Sequence, residues 1–242
     1  PEQASNWLAV LNWSGFILCA RKRGGKRNNL TSCIKKRVSS YSTNTAAQKP
    51  DVESQPSKRK AGSATVQIAQ AVTAKLEEGN MKAAIRLLVS DDTPALPSAD
   101  GLAKLKAKHP PASLIASSLP TPDADGFLSV NEADVRRAVM SFPAGSSGGP
   151  DGLRPQHLKD LVNCRDLLSA LTAFINVTLA GRCPADIAQI FFGGRLIALN
   201  KKSGGIRPIA IGLVLRRLTC KCANAFGVAR LTTYLSPRQL GV

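Results

Sequence analysis

The sequence predicts an α-rich α/β chain, on three observations. Apolar residues return at helical spacing within 66–89, 129–142 and 213–235. A strand–turn–strand pattern, Arg195–Asn200 and Ile206–Gly212 around a glycine turn, supplies the β part. Ahead of both lies a basic stretch poor in large apolar side chains. The 242 residues therefore divide into a largely disordered basic leader (1–65), a helical hairpin with a Pro-rich connector (66–128), and a domain from 129 to 242.

In the leader, Arg21–Arg23, Lys26–Arg27, Lys35–Arg37 and Lys58–Lys60 arrive as basic clusters, against Glu2, Asp51 and Glu53 as acids. Such clusters serve as nucleic-acid contacts, as a nuclear-import signal or as a solvated tail, and composition leaves all three open. The stretch 39–63, rich in Ser, Thr, Gln, Asn and Ala, cannot bury enough surface to offset the entropy of ordering, and reads as a linker. The apolar run Leu8–Ala20 is broken by Asn12 and Ser14 and falls short of the roughly 20 residues a membrane-crossing helix needs. The first residue is Pro1, which predicts a fragment at that end.

Val66, Ala69, Val72 and Leu76 form one stripe, Gly79-Asn80 gives a helix stop, and 81–88 resumes helical spacing. The pair imitates one tetratricopeptide unit, but a solenoid needs several copies and no second occurs. A helical-repeat adaptor therefore lacks support. Residues 91–122 form a Pro-rich connector with a short helix over 101–108. Ser129 and Glu132 predict a capping box for a helix with Val135, Ala138, Val139 and Phe142 on its apolar side. Pro155 suits a helix first turn, 166–180 reads as a further helix, and Leu213–Leu235 as another. Pro208 confines its strand to an edge.

Lys and Arg number 33 against 16 acids, a net charge of +17, and such a field favours polyanions. Cys19, Cys33, Cys164, Cys183, Cys220 and Cys222 contain no CxxC pair, and with His109 and His157 as the two histidines a zinc site is not expected. Reduced thiols in an intracellular compartment are the default, with the nucleus as one destination of the basic clusters. No nucleophile elbow accompanies either histidine, so acyl-transfer chemistry is not indicated.

The turn is the sharpest local feature. Lys201 and Lys202 enter it and Arg207 follows it, placing ammonium groups and a guanidinium fork near one tip where phosphate oxygens can be met. Gly204 and Gly205 leave backbone amides open to an anion; a solvated basic hairpin is the plain alternative. Arg195, Lys201, Lys202, Arg207, Arg216, Arg217, Lys221, Arg230 and Arg238 all follow Asp186, the last acidic residue. Their partners must be water, backbone carbonyls or an external polyanion, which favours phosphate.

Gly149-Pro150-Asp151-Gly152-Leu153, then the turn from Ala198 to Ile209, then Leu215-Arg216-Arg217-Leu218 and Gln239-Leu240-Gly241-Val242, stand in the order and spacing of non-LTR, LINE-like retrotransposon reverse transcriptases. The chain resembles the fingers and palm entry of that family over 135–242. The resemblance implies that Lys201, Lys202 and Arg207 bind a nucleoside triphosphate, that Asp151 and Gly152 shape the fingers loop near the template, and that Gln239 approaches the nucleotide. Arg216 is equally a structural contact. RNA template, DNA primer and deoxynucleoside triphosphates are the implied partners, with no membrane. The parent chemistry is two-metal nucleotidyl transfer on Mg²⁺ held by paired carboxylates. No such aspartate motif occurs in these 242 residues, so no catalytic or metal residue is assigned and the chain alone is expected to be inactive. The expectation is an RNA-directed DNA polymerase fragment, or else a non-catalytic nucleic-acid-binding protein derived from a transposable element. Fingers without palm strands would leave apolar groups such as Leu196 exposed.

Overall fold

Helical stripes and a glycine turn give the two kinds of element this chain forms. The computed structural model describes residues 2–18, 29–41, 64–77, 79–89, 95, 98–109, 126–201 and 204–236. Among these, the order is α1 (Glu2–Ile17), α2 (Leu30–Ser40), α3 (Ala64–Glu77), α4 (Met81–Val89), α5 (Ala99–Ala107), α6 (Glu132–Met140), α7 (Pro155–Leu161), α8 (Arg165–Leu179), α9 (Ala185–Phe192), β1 (Gly194–Asn200), β2 (Ile206–Gly212) and α10 (Val214–Leu235). The strands pair as one antiparallel two-stranded sheet, so Pro208 does lie on an edge strand.

Contacts divide the chain into two units that cut across the three consecutive regions read from sequence. One joins Pro1–Pro110, Pro143–Leu153 and Arg195–Ile211; the other joins Pro111–Phe142, Arg154–Gly194 and Gly212–Val242.

In the first unit, the leader, expected to be largely disordered, forms α1 and α2 within its described residues. Trp7, Leu11, Ser14 and Ile17 fall on one side of α1 and are buried, a stripe that charge-weighted composition conceals. Arg37 of α2 donates from Nη1 to the Ile17 carbonyl at 3.0 Å, satisfying an otherwise unpaired helix C-terminus. Tyr41 closes the pair with its hydroxyl on the Ala9 carbonyl and its ring 5.4 Å from that of Phe16. The clusters at 21–27 and 58–60, and the linker beyond Tyr41, lie outside the described residues.

The stop at Gly79-Asn80 forms as the residues dictate. Gly79 takes φ +68°, its amide bonds to Leu76 O at 2.9 Å, and the Asn80 amide bonds to Lys75 O at 2.8 Å. This is the crossed pattern of a left-handed helix C-terminus. Asn80 then caps α4 by accepting from the Ala83 amide at 3.1 Å. Ala84 is buried between the two helices, whereas Val66, Leu76, Met81, Ile85 and Leu88 stay largely exposed.

The second unit is a helical cluster around α6, which packs against α7, α8 and α10. Val135, Val139, Val162, Ile175, Ile187, Phe191, Val214 and Leu218 are essentially inaccessible to solvent. The expected Ser129–Glu132 capping box is displaced by two residues. Asn131 accepts from the Asp134 amide at 2.9 Å, and Asp134 accepts from the Asn131 amide at 3.3 Å. The cause is Asn176 of α8, whose amide side chain bonds both backbone groups of Val130, at 2.8 and 2.9 Å. That clamp occupies the Val130 backbone, so α6 begins after it, at Glu132. Helix α9 had no counterpart in the sequence reading.

Leu218→Ala, at a fully buried position, is expected to lower unfolding stability by about 2–5 kcal/mol through lost burial and a residual cavity. Met140→Ala, at a half-exposed position of the same unit, should change it by no more than about 0.5 kcal/mol. Chemical denaturation of the two variants measures both, and equal losses would contradict this placement of the core.

Candidate phosphate-binding site

The β1–β2 turn is closed by its own backbone. The Lys201 amide donates to Gly205 O at 3.1 Å and the Gly204 amide donates to Lys201 O at 3.1 Å. Gly204 and Gly205 take φ of +78° and +86°, which side-chain-bearing residues rarely adopt. A Cβ at either would meet open space, so conformation, not crowding, requires glycine there. The Gly204 amide is spent inside the turn, which corrects the expectation that both glycine amides face an anion.

Lys201 is exposed at this tip, beside a pocket of about 440 Å³ lined by Lys201, Gly204, Gly205 and Ile206 together with Lys104 of α5 and Lys108, the residue that caps its carboxyl end. Ile206 is buried while Arg207 is exposed. Strand alternation sets Arg207 on the opposite face of the ribbon from Ile206, and it is absent from the pocket lining. Lys201 therefore shares its pocket with two lysines of a preceding helix instead of with Arg207. Lys202 and Gln239 lie outside the described residues.

Asp151 and Gly152 belong to a separate loop of the same unit and do not line the pocket. Gly152 takes φ +79° and its amide bonds to Gly149 O at 3.0 Å. Asp151 accepts from the Leu153 amide at 3.3 Å, an Asx-type turn. Helix α1 holds this loop: Ser14 Oγ donates to the Asp151 carbonyl at 3.1 Å, and a Cβ on Gly15 would lie 3.4 Å from that oxygen. Burial raises the Asp151 carboxyl above its ordinary range, and the Leu153 amide opposes the shift. These contacts make Asp151 a loop former.

Other cations prove to have internal partners. Arg216 Nη1 donates to the Phe192 carbonyl at 2.7 Å, the structural alternative for this residue. Arg217 and Lys221 stand over the Phe142 ring at 5.3 and 5.0 Å, and Lys221 Nζ donates to Ser141 Oγ at 2.9 Å. A pocket of about 430 Å³ between α6 and α10 includes Asp134, Arg137, Lys221 and Phe226. Arg137 is paired with Asp134 at 3.1 Å, so one of the two cations of this lining is neutralised within the unit. His157 Nδ1 accepts from the Arg154 amide at 3.2 Å, and burial, then the nearby Arg154 charge, lower its pKa. It is a packing histidine that closes the first turn of α7.

Sequence reasoning passed over Lys104 and Lys108. Their spacing of four on a short helix signals a shared face, but nothing in the sequence joins that face to a turn about a hundred residues onward. Among the described residues no group of three or more His, Cys, Asp or Glu is placed to hold a metal ion, and no helix is long and apolar enough to cross a membrane. No family model matches the chain, and no curated protein or solved structure matches it.

Asp151→Asn retains an oxygen for the Leu153 amide and removes a charge that burial penalises. A folded-state pKa above the unfolded one means that the protonated form favours folding, so the parent loses stability as pH rises through the carboxylate range. The variant is expected to melt above the parent at pH 7, the gap closing near pH ~3 where both states are protonated. Thermal melts at the two pH values check this, and a lower-melting variant at pH 7 would contradict it.

Proposed function

We propose that the chain carries the fingers segment of a retrotransposon-type RNA-directed DNA polymerase and grips phosphate through its basic hairpin turn. The observation that carries the reading is Lys201, exposed at the tip of a glycine-built β turn and opening onto a pocket whose described lining includes Lys104 and Lys108 and no acidic residue. The order of the sequence segments supports it: the Gly149–Leu153 loop, the 198–209 turn, then the helix with Arg216 and Arg217. In this reading Lys201, Lys202 and Arg207 meet phosphates of a deoxynucleoside triphosphate or of the RNA template and DNA primer. In the same reading the Asp151–Gly152 loop, pinned by Ser14, shapes the fingers near the template.

The parent enzymes' Mg²⁺ needs a set of carboxylates. The described residues offer no such set, and no acid follows Asp186, so no nucleotidyl-transfer step is assigned to this chain. The net charge of +17 also fits a second reading, a basic nucleic-acid-binding protein of transposable-element origin that performs no chemistry. The two share the hairpin as binding element and differ in what is lost when it is altered.

For the 242-residue chain, single-stranded RNA binding is expected to weaken steeply with salt. Lys201→Ala with Arg207→Ala should reduce the slope of log affinity on log salt by about 1.4, roughly 0.7 per lost phosphate contact. Fluorescence anisotropy over a salt series reads this directly, and an unchanged slope would remove the hairpin from the binding surface. Primer extension by the same chain should stay at background. Template-dependent incorporation would overturn the non-catalytic assignment.

A further inference from the structure

Helix α5 brings two ammonium groups to the hairpin turn. Lys104 and Lys108 stand four residues apart, on one helix face, and both line the pocket that Lys201, Gly204 and Gly205 complete. All three lysines are exposed. Among the described residues, no aromatic, amide or carboxylate side chain lines this pocket. Those residues give a base no ring to stack on and no side-chain acceptor to read its edge. What it offers is positive charge around an open concavity on a backbone turn, which suits phosphate oxygens.

Two features oppose an anion there. The carboxyl end of α5 carries the negative pole of the helix, and Lys104 is engaged with Asp100 at 2.6 Å. Lys108 at the helix end offsets the first. The second is a contact between groups that are 53% and 71% exposed, so solvent screens it and an incoming phosphate can displace it.

We propose that Lys104 and Lys108 join Lys201 to form a clamp for consecutive phosphates that does not discriminate bases, with Asp100 as its internal competitor. The proposal rests on the hairpin being a phosphate-gripping element. It adds a second element to that grip and fixes the ligand class as a phosphate chain, either a triphosphate tail or a strand backbone.

The test uses the full chain with two probes, inorganic tripolyphosphate by calorimetry and a single-stranded oligonucleotide by anisotropy. Lys104→Ala with Lys108→Ala is expected to weaken at least one probe about tenfold. Lys82→Ala with Arg86→Ala removes the same charge from exposed positions on α4 and should cost far less. Asp100→Asn should tighten binding about twofold to fivefold by releasing Lys104. Exchanging oligo-A for oligo-U should leave affinity within about twofold. Loss for tripolyphosphate alone identifies a triphosphate tail as the source; loss for the oligonucleotide alone identifies a strand. A double variant indistinguishable from the charge control overturns the clamp. If Lys201→Ala still weakens binding in that case, the hairpin reading stands without α5; if it does not, both fail. Far-ultraviolet circular dichroism confirms that these surface substitutions leave the helices intact.

Discussion

The apolar stripe of α6 must be covered on several sides at once, and the helical unit is arranged around that requirement. Val135, Ala138, Val139 and Phe142 present a face that one neighbour cannot bury, so α7, α8 and α10 all pack on it. The start of α6 is fixed by the paired hydrogen bonds from Asn176 to Val130, and its end is held by Lys159 Nζ on the Phe142 carbonyl at 2.8 Å. With both ends set, the stripe faces the core in one register. Nine helical residues are too few to be stable alone in water, so packing and caps supply most of this helix's stability.

Lys159 is one case of a wider pattern. Arg37 reaches the last carbonyl of α1, Arg136 reaches the Val162 carbonyl at the end of α7 at 2.7 Å, and Arg216 reaches that of Phe192 at the end of α9. In each, a cation from one helix meets the carbonyl end of another, where the helix dipole is negative. A chain with twice as many basic as acidic residues has few carboxylates for its cations, and helix termini take their place. The net charge therefore overstates what is offered to a polyanion. Aromatic faces absorb more of it, at Phe142, Phe127 and Phe226. Lys201, exposed at the hairpin pocket, is not among the cations of these helix-end and ring contacts.

Hairpin, helix stop and edge proline were legible because each depends on a few neighbouring residues. Gly204 and Gly205 between two apolar strands specify a turn with positive φ wherever they occur, and Gly79-Asn80 specifies a helix end by the same local logic. The start of α6 was not legible. Ser129 with Glu132 satisfies the local pattern, but an asparagine 46 positions further on decides the outcome. Helix α1 was hidden for a related reason: Asn12, Ser14 and the following charges mask a stripe whose burial depends on residues distant in sequence, among them the Asp151 loop that Ser14 holds.

The α-rich class, the β1–β2 hairpin, its glycine turn and the strong positive charge are all legible in the amino-acid residues alone. Each is a property of composition or of residues close along the chain, set by backbone sterics and hydrophobic periodicity. Tertiary structure decided which cations stay available, because caps and ring contacts form between residues distant in sequence. It also buried the Ile206 face of the ribbon and placed Lys104 and Lys108 beside Lys201. Spacing along the chain defines a face of a helix or strand; which face meets which is settled by burial of the whole.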